Sequence, residues 1–184
     1  MLNHAGTNLI ETNHLILRKF DPSDRTDMLE LWAADPNIQH SYGEPVYITL
    51  DEVNSLLNKY IVSYQNLDYY RWAIIEKTNG RCIGQIAFFL VDSINNFSEI
   101  EYCISADFQC MGYATEATKA IIKYGFEEIN LHKIQICHRS NNLASKRVIE
   151  KCGFTFEGSL RDFFFINGKY YDRLYYSILK REYK

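Results

Sequence analysis

Two Asn-Gly pairs, Asn79-Gly80 and Asn167-Gly168, each lie between two runs of strand-forming residues. An Asn-Gly pair in this setting strongly favours a β-hairpin, because both residues of the tight turn must reach positive φ. The sequence therefore predicts two antiparallel hairpins. Their predicted strands are residues 71–78 with 81–91, and residues 154–166 with 169–179.

The rest of the chain alternates between strand and helix patterns. Asp21 before Pro22, and a capping box of Thr49 and Glu52, predict the starts of two early helices. Further strands are predicted at 14–18, 97–105 and 133–138, and further helices at 113–128 and 142–152, the last one capped by Asn142 and ended by Gly153. This order of elements is typical of an α/β (α+β) protein with a central, mostly antiparallel sheet flanked by helices.

The composition is that of a globular protein, with 184 residues, of which 47% are hydrophobic and 23% charged. We expect one domain over residues 1–184, with residues 1–11 as a flexible or loosely packed segment. A formal net charge of −3 excludes a strongly basic nucleic-acid-coating protein, so no direct nucleic-acid partner is predicted. No stretch approaches the roughly 18 apolar residues of a membrane-spanning helix. The protein is expected to be soluble, cytoplasmic and not membrane-bound.

The five cysteines are widely spaced and include no Cys-x-x-Cys pair. No cluster of cysteine and histidine has the spacing of zinc ligands, so no metal is predicted. Buried free thiols in a reducing compartment are the simplest interpretation. Cys110 precedes a predicted helix start, where the pKa of a thiol tends to fall, and is alternatively a reactive thiol.

Residues 99–117 bring a strand, a short loop and the start of a helix into succession. The first turn of a helix has four backbone amides without intrahelical partners and a positive dipole end, so it can hold a phosphate group. Gly112 and Ala114 would let a ligand approach the backbone closely, and Thr115 adds a hydroxyl group. An ordinary turn explains the same pattern, so these residues alone leave both interpretations open.

The loop residues Gln109-Cys110-Met111-Gly112-Tyr113-Ala114 match the Gln/Arg-x-x-Gly-x-Gly/Ala motif of the Gcn5-related N-acetyltransferase (GNAT) superfamily. The longer segment 108–117 resembles the branch that acetylates the N-termini of ribosomal proteins. Segments 15–24, 142–154 and 157–169 are similar to other parts of that branch, in the same order. The resemblance covers about residues 12 to 180. It implies a GNAT fold, with acetyl-CoA as the acetyl donor bound where two central strands splay apart.

The resemblance also implies which residues bind the cofactor. The pyrophosphate would be held by backbone amides of the loop and first helical turn. Cys110 stands where glycine is usual and Met111 where a basic residue is common, which could weaken attraction to the phosphates. The implied cofactor-binding residues are Cys103, Ile104, Gln109, Cys110, Met111, Gly112, Tyr113, Ala114, Thr115, Asn142 and Ser145.

Acetyl transfer to an amine requires removal of a proton from the amine and stabilisation of the departing thiolate. Ser145 lies where the resemblance places the sulfur of CoA, and is predicted to act as the acid or as a hydrogen-bond donor. Glu99 and Glu101 share one face of the strand before the loop and are predicted as catalytic bases. Alternatively, Glu99 and Glu101 lie on a solvated strand face and have no catalytic role. Asp162 or a chain of waters would then be the base.

The predicted activity is N-acetyl transfer from acetyl-CoA to a primary amine by direct attack. A protein N-terminal α-amine is the favoured acceptor. The alternatives are a small amine, such as a polyamine or an aminoglycoside, and a non-catalytic module that binds acetyl-CoA. The aromatic closing hairpin, residues 163–176, belongs to the core or presents a homodimer face or acceptor wall.

Overall fold

The computed structural model describes residues 1–183, apart from the side chain of Tyr42, and is built on one mixed sheet. The strands of this sheet are, in chain order, β1 (Ile10–Glu11), β2 (Leu15–Arg18), β3 (Tyr70–Glu76), β4 (Cys82–Asp92), β5 (Phe97–Ile104), β6 (Lys133–Arg139), β7 (Thr155–Ile166) and β8 (Lys169–Leu179). Their order across the sheet is β1-β2-β3-β4-β5-β6-β8-β7. Neighbouring strands are antiparallel except β5 and β6, which run parallel. The predicted mixed, mostly antiparallel sheet is confirmed.

Helices cover both faces of the sheet. The α-helices are α1 (Arg25–Met28), α2 (Pro36–Tyr42), α3 (Leu50–Ser63), α4 (Tyr113–Glu127) and α5 (Leu143–Lys151). One hydrophobic core lies between the sheet and the α4–α5 side, and a second lies under α1, α2 and α3. Within residues 1–183, no helix combines the length and apolar character needed to cross a membrane.

The predicted capping signals operate at both early helices. Thr49 and Glu52 form the reciprocal capping box at the start of α3. The side chain of Asp21 accepts a hydrogen bond of 2.8 Å from the backbone N–H of Ser23. The helix that follows Asp21 is less regular than the pattern predicts. It passes from a 3₁₀ turn through α1 into a π-helical turn over Leu29–Ala33. Trp32, within this last turn, is fully buried.

The two predicted hairpins form, but their turns differ. At the second turn, Asn167 and Gly168 have φ values of 51° and 76°, as a two-residue Asn-Gly turn requires. At the first, Gly80 has a φ of 71° while Asn79 is outside the positive region. The carboxylate of Glu76 accepts hydrogen bonds from the backbone N–H groups of Thr78 and Asn79, at 3.1 and 3.0 Å. This side-chain anchor replaces the tight turn with a wider loop.

The sequence predicts a flexible or loosely packed segment at residues 1–11, whereas in the structure this segment is hydrogen-bonded to the rest of the domain. Ile10 and Glu11 form the edge strand β1. The N–H of Gly6 donates to the carbonyl oxygen of Leu67 at 2.9 Å. The indole N–H of the buried Trp72 donates to the carbonyl oxygen of Asn8 at 2.7 Å. The segment satisfies buried polar groups of the domain, which composition alone does not reveal.

Candidate active site

The strands β5 and β6 separate part-way along their length. Their parallel pairing ends at Ile100 opposite Ile136, although β5 continues to Ile104 and β6 to Arg139. The other edge of β5 stays paired with β4 as far as Gly84 opposite Ile104. Residues 101–104 therefore have one backbone edge without a neighbouring strand, and this edge borders a slot in the sheet.

The loop after β5 leads into α4 with free backbone donors. Gly112, at the N-cap of α4, has a φ of 89°, and the first bond of the helix runs from the N–H of Glu116 to the carbonyl oxygen of Gly112 at 3.0 Å. The amides of Tyr113, Ala114 and Thr115 precede this bond and have no partner within the helix. A Cβ atom at Gly112 would meet nothing within 4 Å, so the space beside these amides is open. The helix start is thus suited to hold an anion.

Gln109 fastens this loop to the end of β5. Its side-chain amide donates to the carbonyl oxygen of Ile104 at 3.0 Å, and its backbone N–H donates to that of Ala106. Its side chain therefore holds the loop. The next residue, Cys110, has a φ of 61°, a conformation that glycine adopts most readily. This explains why glycine is usual at that position in the family that the sequence resembles.

A cavity of about 560 Å³ adjoins the start of α4. It continues along the outside of α4 toward the end of α5, where Lys119 and Lys151 supply positive charge. Met111, which precedes Gly112 in the loop, is 58% exposed. The cavity is lined by Thr12, Asn13, Gly112, Thr115, Glu116, Lys119, Ala120 and Lys151.

Two contacts that the sequence did not indicate hold the first turn of α4 against the edge of the sheet. The carboxylate of Glu116 accepts a hydrogen bond of 2.8 Å from the backbone N–H of His14 and contacts the His14 ring at 2.9 Å. The hydroxyl of Tyr113 donates to Glu76 at 3.4 Å. These partners lie about 40 to 100 residues away in the chain, which is why a local pattern does not reveal them.

Asn142 and Ser145 lie at the start of α5, on the far side of the slot from β5. The side-chain oxygen of Asn142 accepts a hydrogen bond of 3.0 Å from the N–H of Ser145, so the predicted N-cap is confirmed. The Ser145 hydroxyl lies 3.2 Å from the hydroxyl of Tyr102 on β5. Tyr102 was not predicted as a site residue. Burial raises the pKa of its phenol to about 12.

Glu99 and Glu101 share one face of β5 as predicted, on the side opposite α5, but both are engaged by arginines. Glu99 is 3% exposed and accepts hydrogen bonds of 2.8 Å from Arg173 and from Gln135. Glu101 accepts a bond of 2.6 Å from Arg71. A solvated strand face is therefore the wrong description of these carboxylates.

Arg71 contacts several side chains on this face of β5. The region around Arg71, Glu101 and Glu44 is called the groove below. Besides Glu101, the Arg71 guanidinium donates to the side chain of Gln85 at 2.6 Å and lies 4.6 Å from the centre of the Tyr60 ring. Glu44, in the segment after α2, interacts electrostatically with Glu101, Arg71 and Tyr60. Burial, followed by the charge of Glu101, raises the pKa of Glu44. The carboxylate of Glu44 has no hydrogen bond or ion pair with any residue in the described part of the chain.

Cys103 and Ile104 complete the slot edge, and both side chains are buried, facing opposite cores. Burial raises the pKa of the Cys82 and Cys152 thiols, so they have the character of inert free thiols. Cys110 is exposed. Asp162, the alternative base, lies exposed in an irregularity of β7, with a φ of 51°.

Comparison with known proteins agrees with this geometry. Residues 14–155 match the family model described as an acetyltransferase (GNAT) domain. The chain belongs to the GNAT acetyltransferases. Its slot, its loop and its free α4 amides fit acetyl-CoA, and the protein is an acetyl-CoA-dependent N-acetyltransferase.

Similar GNAT proteins have different named acceptors. The Bacillus subtilis protein named "Putative ribosomal N-acetyltransferase YdaF" is 29% identical, over 93% of this chain and 94% of its own. The spermidine N-acetyltransferase of Vibrio cholerae, solved with CoA and spermine, is 29% identical with a TM-score of 0.80, over 94% of this chain and 99% of its own. A GNAT acetyltransferase structure from Bacillus anthracis is 28% identical with a TM-score of 0.82, over 95% of this chain and 100% of its own.

Proposed function

We propose that this GNAT enzyme transfers the acetyl group of acetyl-CoA to a protein N-terminal α-amine. The observation that carries the acetyl-CoA part of the proposal is the unpaired edge of β5 at residues 101–104 together with the free amides at the start of α4. A pantetheine chain along the first and a pyrophosphate on the second would direct the thioester toward Ser145. The similarity to the B. subtilis protein with the ribosomal name supports the choice of acceptor.

Acetyl-CoA supplies an activated acyl group whose carbonyl carbon the amine attacks directly. The protein must then accept the amine proton and stabilise the thiolate. We propose that Ser145 donates a hydrogen bond to the departing sulfur. The expected positions of the base are Glu99 and Glu101, and the structure adds Glu44. Because arginines engage the first two, Glu44 is the better proton acceptor, while Glu99 and Glu101 set the charge of the groove.

The charge of the groove also favours a second acceptor class, a polyamine. Three carboxylates, those of Glu44, Glu99 and Glu101, lie with two guanidinium groups, those of Arg71 and Arg173. The excess negative charge attracts a cationic amine as its ammonium form. The Vibrio cholerae relative solved with CoA and spermine supports this alternative. Both acceptor classes are cationic before the reaction, so the acceptor itself has to be tested.

The first experiment is a calorimetric titration of the protein with acetyl-CoA, beside the variant Gly112→Asp. Saturable binding that this variant loses is expected, because Asp would add negative charge and strain at a φ of 89°. The matched control is Gly168→Asp, which has the same kind of strain at a φ of 76° in the distant hairpin turn. Absence of binding by folded wild-type protein, or equal loss in both variants, would contradict the proposed cofactor site.

The acceptor is then identified by measuring CoA release with a panel of N-terminal peptides, spermidine and an aminoglycoside. Preference for a peptide over the small amines would support the α-amine, and preference for spermidine would support the second candidate. Binding of acetyl-CoA without release of CoA for any acceptor in the panel would favour a binding module.

A homodimer remains a prediction that the closing hairpin supports. Large apolar side chains of β7 and β8 are exposed on it, and an exposed apolar patch is a potential interface. These side chains are Phe156, Leu160, Phe163, Phe165 and Tyr170. Sedimentation of wild-type protein and of Phe165→Ser would test it, and a monomeric wild type would contradict it.

A further inference from the structure

Tyr102 and Ser145 form a hydrogen-bonded pair across the slot. Tyr102 belongs to the part of β5 that has separated from β6, and Ser145 belongs to the first turn of α5, which follows β6 in the chain. Their hydroxyl oxygens lie 3.2 Å apart, and either can donate. This contact therefore joins the two sides of the opening through which the thioester would pass.

The rest of the pair's surroundings leaves the Ser145 hydroxyl little choice of partner. The backbone N–H of Ser145 is already bonded to Asn142, which holds the residue at the helix start. Among residues 1–183, Tyr102 is the partner of the Ser145 hydroxyl, and Ser145 is the partner of the Tyr102 hydroxyl. Ile149, one turn further along α5, is fully buried and supplies no polar group.

We propose that Tyr102 is a positioning residue that donates a hydrogen bond to the Ser145 hydroxyl. The Ser145 hydroxyl is thereby oriented to donate its own hydrogen bond to the sulfur of CoA. A phenol is the stronger acid of the two hydroxyls and so the preferred donor. With its oxygen accepting from Tyr102, Ser145 has its hydrogen free for the sulfur, and each bond polarises the next. This inference rests on the proposed function of the slot as the acetyl-CoA site.

The pair acts by donating hydrogen bonds rather than by delivering a proton. A thiol of the cysteine type has a pKa of about 8.5. The pKa of Tyr102 is raised to about 12, so its phenol keeps its proton when a thiolate forms. In the transfer step the amine nitrogen bonds to the acyl carbon, the C–S bond breaks and its electron pair goes to sulfur. The amine proton goes to the carboxylate of Glu44, and the thiolate is stabilised by the hydrogen bond from Ser145.

The first test measures the thiol of bound CoA and needs no acceptor. The ultraviolet absorbance of the thiolate is titrated with pH for the complex of CoA with wild-type protein, Tyr102→Phe, Ser145→Ala and the double variant. Each spectrum is corrected by the same protein without CoA. Tyr102→Phe and Ser145→Ala should each raise the pKa of the bound thiol by about one unit, and the double variant should add little to Ser145→Ala.

The second test measures kcat and KM with acetyl-CoA and the best acceptor of the panel. Tyr102→Phe should lower kcat by about 10-fold with little change in the KM for acetyl-CoA. The matched control is Tyr183→Phe, because the Tyr183 hydroxyl bonds to Glu127 near the far end of α4. This control should leave kcat unchanged.

The outcomes separate the proposed chain of hydrogen bonds from Tyr102 through Ser145 to the sulfur, here called the relay, from the proposed function. A wild-type value of the bound thiol pKa in Tyr102→Phe, or equal effects on kcat from Tyr102→Phe and Tyr183→Phe, would overturn the relay while leaving the acetyltransferase intact. Thiolate stabilisation by wild type that both variants lose, without acetylation of any acceptor, would support the relay and contradict the proposed function. A wild type that binds no CoA would overturn both.

Discussion

The replacement Gly84→Ala tests whether the slot depends on close packing of β4 against β5. A Cβ atom at Gly84 would lie 2.1 Å from the carbonyl oxygen of Cys103 and 3.0 Å from the Cα atom of Ile104. An ordinary contact begins at 3.4 Å, so the backbone would have to move by about 1.3 Å. Because backbone cannot rotate away as a side chain can, we expect the upper end of the cost of overpacking, about 3 kcal/mol.

This loss is large beside a total stability of about 5–15 kcal/mol. At this chain length it corresponds to a fall in melting temperature of roughly 6–12 °C. The displaced residues, Cys103 and Ile104, border the slot, so the affinity for acetyl-CoA should fall in the same variant. Thermal melts and urea unfolding measure the first effect, and calorimetric titration measures the second.

The matched control is Gly158→Ala on β7. A Cβ atom at Gly158 would meet nothing within 4 Å, and its φ lies outside the positive region. The change in stability there should stay within about 1 kcal/mol, with unchanged binding of acetyl-CoA. If Gly84→Ala melts together with Gly158→Ala and binds acetyl-CoA equally well, close strand packing does not define the slot, and the reasoning is refuted.

Three further predictions concern the groove and the loop. Glu44→Gln should lower kcat/KM by about 10²-fold or more. Because the pKa of Glu44 is raised, the wild-type rate should fall as the pH drops through the pKa of this carboxyl group. This fall at acidic pH should be absent from the pH profile of the variant. Arg71→Met should destabilise the protein by about 2–3 kcal/mol in urea unfolding, because it leaves the mostly buried Glu101 unpaired, and the double variant with Glu101→Leu should recover most of the loss. Acetyl-CoA should slow the alkylation of the exposed Cys110, with the rate measured by mass spectrometry. Equal alkylation rates with and without acetyl-CoA would place the ligand elsewhere.

Much of the fold could be predicted from local signals. The capping residues Asp21, Thr49 and Asn142 and the glycine that ends α5, Gly153 with a φ of 83°, all act where the sequence predicts. These signals depend on groups within a few residues of each other, whose geometry the backbone sets directly. The turn at Asn79 is an exception, because a carboxylate three residues earlier captures the amides of the turn.

The candidate site divides in the same way. The proposed phosphate-binding loop from Gln109 to Thr115 is a continuous segment, so its glycine and its helix start are visible in the sequence. Glu99 and Glu101 are also visible as carboxylates on one strand face, but their arginine partners are not. Arg71 and Arg173 lie 30 and 74 residues away in the chain.

The sequence by itself determined the local elements, the family resemblance and the segment proposed to meet the cofactor, because each rests on short-range backbone preferences or on a contiguous motif. The tertiary structure decided which charges neutralise one another and which polar groups meet across the slot. Tyr102 reaches Ser145 only because β5 and β6 are parallel neighbours that then separate. In the described part of the chain the Glu44 carboxylate has no hydrogen bond or ion pair, while the nearby Arg71 is bonded to Glu101. Strand order and burial set these pairings, and neither is encoded in the spacing of the residues along the chain.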